Sequence, residues 1–182
     1  MRNWATRAVG ELAHRRDEIN ALNVFPVPDS DTGSNMAHTM EAAVAELDNG
    51  GDVADSLALG AVRGARGNSG MVLSQVLRGV AESTVDSVID GDVFARSLQQ
   101  AVELVDRAIA EPVEGTVITV LKAAAEAADD AEAQSGATLH SIVSAAIAAA
   151  EKALERTPSQ LPALREAGVV DAGGAGLVIL LE

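Results

Sequence analysis

Apolar residues recur along most of this chain with the spacing of helices that bury one face. Phe94, Leu98, Ala101, Val102, Val105 and Ile109 fall on one side of a helix. Leu139, Ile142, Val143, Ala146, Ile147, Ala150 and Leu154 form a second stripe. Asp92 stands ahead of the first and Thr138 ahead of the second, where a side-chain oxygen can accept an orphan N–H, so both are predicted N-caps. The same periodicity predicts helices over 4–21, 35–47, 53–64, 69–83 and 116–131, a short one within 158–167, and a last one from about residue 174. The pattern gives roughly eight helices with short connections. Its competitor is a few buried strands, at Val117–Leu121 or Leu177–Leu181.

Composition sharpens this to an all-α reading. Ala is abundant, Tyr is absent, and the only aromatics are Trp4, Phe25 and Phe94. Strands favour β-branched and aromatic residues, whereas helices faced with Ala can approach closely. With 182 residues, one domain is expected. Thirteen Lys and Arg against 27 Asp and Glu leave a net charge of −14, which argues against a nucleic-acid binder or docking on an anionic membrane. The absence of Cys excludes disulfides, zinc–thiolate sites and a thiol nucleophile. No signal-peptide core and no bilayer-length apolar run is present, so a cytoplasmic location is expected. The closing run Gly176-Leu-Val-Ile-Leu-Leu181 stops at Glu182, and the chain is read as the N-terminal part of a longer protein.

Three segments interrupt the helical pattern. In Asn23-Val-Phe-Pro-Val-Pro-Asp-Ser-Asp-Thr-Gly-Ser-Asn-Met36 the prolines impose an extended path, and Asp29 and Asp31 stand one residue apart before a helix. Such a pair either caps the helix or holds a hard cation such as Mg²⁺. Gly64-Ala-Arg-Gly-Asn-Ser-Gly70 also precedes a helix; its glycines and helix start suit a phosphate cradle or, equally, a tight turn. It lacks the Lys of a Walker A loop. In Gly168-Val-Val-Asp-Ala-Gly-Gly-Ala-Gly176, Asp171 by itself reads as a helix cap. His14, His38, His140, Lys122 and Lys152 read as structural or surface residues.

Taken in order, these motifs resemble the nucleotide-binding domain of the dihydroxyacetone kinase L-domain superfamily. Within it, the proline-containing first motif is most similar to the N-terminal domain of the bacterial fatty acid kinase catalytic subunit. The resemblance implies an antiparallel eight-helix barrel binding ATP or ADP at one end, with two Mg²⁺ ions between the phosphates and the acidic loop. It implies Asp29 and Asp31 as metal ligands and the residues that carry the reaction. Asn23 falls near a further Asp of the dihydroxyacetone kinases and is carried over as a third ligand. Thr32 replaces a His of those enzymes, and Asn35 matches their Asn at the helix start. Gly67, Asn68, Ser69 and Gly70 match the phosphate-binding turn. Asp171 and Gly173 match the last nucleotide-side loop, and Thr116 the Thr near the ribose and base.

The implied activity is phosphoryl transfer to a fatty-acid carboxylate presented by a separate acyl-binding protein. That acceptor is already ionised at neutral pH and needs no general base. The isolated segment is expected to bind nucleotide yet turn over poorly, and the full-length protein to form a homodimer. The alternatives are a dihydroxyacetone kinase L subunit and a nucleotide-binding regulatory module without catalysis.

Overall fold

The computed structural model describes the whole chain, Met1–Glu182. Ten α-helices account for it: α1 (Arg2–His14), α2 (Arg16–Leu22), α3 (Thr32–Glu46), α4 (Val53–Gly64), α5 (Gly67–Ser83), α6 (Gly91–Ala108), α7 (Val117–Glu132), α8 (Leu139–Gln160), α9 (Pro162–Ala167) and α10 (Ala172–Leu181). The fold is all-helical; Val117–Leu121 and Leu177–Leu181 are helix, and strand-like pairing is confined to one bridge between Val85 and Val88. No helix is long and apolar enough to cross a membrane.

Sequential helices pack side by side from α3 to α8, and α10 closes the ring by touching α1, α2 and α3 on one flank and α7 and α8 on the other. Trp4 Nε1–H donates to the Leu180 carbonyl at 3.0 Å, fastening α1 to the end of α10. Eight of the ten residues of α10 are buried, as expected of a helix that is apolar all round. Two apolar clusters fill the interior, one among α5–α8 and the other among α1–α5. Both draw residues from α5 and α10, which form their shared wall. Small residues set the spacing: a Cβ on Gly79 of α5 would lie 2.7 Å from backbone atoms of Ser97 and Ala101 in α6.

Several boundaries differ from the sequence reading. The helix expected over 4–21 is broken at Arg15, whose backbone (φ −95, ψ 9) redirects α2. The redirected α2 lays Arg16 and Asn20 against Gly33 at the start of α3. Asp92 is not a cap. Asp90 accepts the Val93 N–H at 2.9 Å, while Asp92 pairs with Arg96 on the surface. Thr138 caps α8 as expected, in a reciprocal capping box with Ser141. α8 runs on through Pro158 to Gln160, so the short helix expected over 158–167 is only Pro162–Ala167.

Candidate functional site

The first motif forms the loop between α2 and α3. Asn23 is buried, and its amide donates to Asp29 Oδ1 at 2.7 Å. The Phe25–Pro26 peptide bond is cis. Ser30 adopts a left-handed conformation (φ 55) between the two aspartates. Asp31 occupies the N-cap position of α3, yet its carboxylate accepts no capping bond. That duty falls to Asn20 of α2, whose Oδ1 accepts the Ser34 N–H at 3.0 Å while its Nδ2 donates to Ser34 Oγ at 3.0 Å. The capping reading of the acidic pair therefore fails for Asp31, and Asp29 is exposed and held only by Asn23. Two neighbouring carboxylates kept off the helix amides repel each other unless a cation stands between them. No group of three or more acidic or histidine side chains that could hold a metal ion forms in the structure, so a cation held here would take most of its shell from water or ligand oxygens.

The second motif begins where α4 ends. Ala65 and Arg66 are extended, and α5 starts at Gly67, two residues earlier than the periodicity suggests. Gly67 has φ +60, and a Cβ there would lie 2.6 Å from Asn35 Nδ2. The first turn of α5 receives no capping side chain from its N-cap residue. Its amides thus retain the anion-binding character of a helix start. Thr39 stitches the two motifs together: its Oγ1 donates to the Asn35 carbonyl at 2.7 Å and accepts the Arg66 N–H at 3.4 Å. Asn68 is exposed and Ser69 half-buried. The backbone N–H of Asn35 bonds the Asp31 carbonyl at 2.8 Å, so Asp31 stands one turn of α3 from the residue that faces Gly67.

The third motif is built around a buried carboxylate. Asp171 is 6% exposed, and its Oδ2 accepts the Gly174 N–H at 2.7 Å, so it does cap α10. A Cβ on Gly173 would lie 3.3 Å from the same oxygen and 3.2 Å from Val117 Cβ, so the start of α7 packs on that of α10. Burial outweighs backbone hydrogen bonding and pushes the Asp171 pKa up to about 6. The side chain is thus spent on the start of α10. Gly173 packs against the Val117 side chain. Thr116, the N-cap residue of α7, is half-buried and donates to the Val113 carbonyl at 2.7 Å.

Met36, Ser69 and Gly173, one from each motif, border with Val117 a narrow gap of about 10 Å³ between the helices, otherwise lined by apolar side chains of α5 and α10. Two roomier surface grooves, of about 390 Å³ between α7 and α8 and about 320 Å³ between α1 and α10, contain no motif residue. Sequence reasoning missed Asn20 and Thr39, which carry no local signature.

The acidic loop before α3 and the uncapped start of α5 lie side by side on a ring of helices, the frame of a kinase-related helical domain. The model of the DAK2 domain family matches residues 26–182. The chain belongs to this family, within the dihydroxyacetone kinase L-domain superfamily. It is 41% identical to Protein YloV of Bacillus subtilis (strain 168) over 177 residues. It is 40% identical over 177 residues to an uncharacterized protein of Staphylococcus aureus (strain USA300). Each alignment covers 94% of this chain and 32% of the relative, so the chain spans about a third of the length of these relatives.

Proposed function

We propose that this chain is an ATP- and Mg²⁺-binding phosphotransferase domain that transfers phosphate to a fatty-acid carboxylate presented by a separate acyl-binding protein. The observation that carries the reading is the release of Asp29 and Asp31 from helix capping, with Asp31 one turn of α3 from Asn35, which faces the left-handed Gly67. Two carboxylates form a hard-oxygen donor set that suits Mg²⁺, and the Gly67 turn is a cradle that a Cβ would fill. Asp29 and Asp31 would hold the metal, whose chemistry is to neutralise phosphate charge during transfer. Asn23, as observed, presents its amide N–H to Asp29 and orients that carboxylate. The amides of Gly67, Asn68, Ser69 and Gly70 would bind phosphate oxygens at the start of α5. Thr32 and Asn35 flank the same space from α3. Thr116, Gly173 and the Asp171 loop would border the ribose and base. An ionised carboxylate acceptor requires no proton to be removed, in keeping with a site assigned no general base.

The test is ATP titration at fixed Mg²⁺ into the wild type, Asp29→Asn and Asp31→Asn. Both variants should lose nucleotide binding while their helical circular dichroism is unchanged. Wild-type affinity in either variant overturns the assignment of that residue to the metal.

A further inference from the structure

α8 carries Pro158 in its interior. Proline has no N–H, so the carbonyl of Leu154, four residues earlier, loses its helical donor. Thr157 supplies a replacement, with Oγ1 donating to the Leu154 carbonyl at 2.7 Å. The same oxygen accepts the backbone N–H of Asp171 at 3.1 Å. Thr157 is 0% exposed, so water cannot take over either bond. From Asp171 the connection continues through its carboxylate to the amide of Gly174 at the start of α10. Gly173 beside it packs against the Val117 side chain at the start of α7. Only a hydroxyl can donate to one backbone group and accept from the other in this space; valine, of the same shape, does neither.

We propose that Thr157 is a positioning residue for the nucleotide site, holding the Asp171 loop and through it the start of α10 where it packs on α7. This rests on the nucleotide reading above. Thr157 lies outside all three motifs, and its signal in the sequence is only a Thr immediately before a mid-helix proline.

The experiment compares the wild type with Thr157→Ser, Thr157→Val and Ile142→Val. Ile142 is buried near the other end of α8 and reports general loosening of that helix. A further pair, Pro158→Ala with and without Thr157→Val, guards against failure to fold. Alanine restores the donor to Leu154, so Thr157→Val then removes only the bond to the Asp171 loop. Amide exchange of Asp171 and Gly174 is followed by NMR, and ATP affinity with Mg²⁺ by calorimetry, where all variants are folded. Thr157→Val, in either background, should speed those exchanges and raise the ATP Kd by about tenfold, the equivalent of one lost buried hydrogen bond. Thr157→Ser and Ile142→Val should stay within about twofold of the wild type, well under the change from one such bond. Unchanged exchange at the two amides overturns the proposal, as does an Ile142→Val effect on ATP equal to that of Thr157→Val. If the wild type itself binds no ATP, the nucleotide reading fails, and the exchange data alone decide whether Thr157 holds the loop.

Discussion

Replacing Asp171 by Asn removes a carboxylate that the fold buries, and the consequence depends on pH in a direction the structure dictates. The carboxyl titrates at about 6 in the folded protein against an ordinary value of 3.8, because burial disfavours its charged form. Between these values the folded chain holds a proton that the unfolded chain has released. The stability contributed by this group is therefore complete below about pH 4 and declines as pH rises through 6. A difference of about 2 pH units corresponds to about 3 kcal/mol, all of it lost once pH exceeds 7. Denaturant unfolding of the wild type and Asp171→Asn from pH 4 to 8 isolates the effect, since the other carboxylates cancel in the difference. The advantage of the wild type over the variant should shrink by up to about 3 kcal/mol across this range and then level off. A difference that stays constant, or that grows with pH, would refute the argument by showing that the backbone hydrogen bonds outweigh burial.

Asn20→Ala removes the cap of α3 and should cost about 1 kcal/mol, lowering Tm by about 2–4 °C in thermal unfolding; an unchanged Tm would mean that Asp31 takes over the cap. Gly67→Ala and Gly136→Ala both force a left-handed alanine, at about 1–2 kcal/mol each. Only Gly67 faces a neighbour, Asn35, so only Gly67→Ala should also weaken ATP binding; equal affinities in the two variants would remove the cradle. Gly79→Ala should destabilise by about 2 kcal/mol or more in urea, because the added methyl meets α6 backbone that cannot yield; a neutral result would contradict the close α5–α6 approach.

Most helices are legible in the sequence because each buries one stripe, and the stripes of α6 and α8 run with few interruptions. Thr138 is legible for the same local reason, as its capping box lies within four residues. Asp92 misled because Asp90 stands two residues earlier and the choice between them depends on where Gly91 starts the helix. The break at Arg15 follows from packing of α2 on Gly33, which no local pattern contains. At the site, the glycines and aspartates of the motifs stand out individually, and their order carries the family. What the sequence could not display is that Asn20 frees Asp31, that Thr39 joins two motifs, and that Asp171 turns inward, tied to Thr157 and capping α10. Each of these depends on contacts between segments distant in the chain, made by residue types that are common everywhere.

The central claim is that the acidic loop and the glycine turn form one metal-dependent nucleotide site. Calorimetric titration of ATP into the wild-type chain, first with Mg²⁺ and then with EDTA, tests it most directly. Saturable binding with Mg²⁺ that disappears in EDTA is the predicted result. Equal binding in both buffers, or none in either, would contradict it.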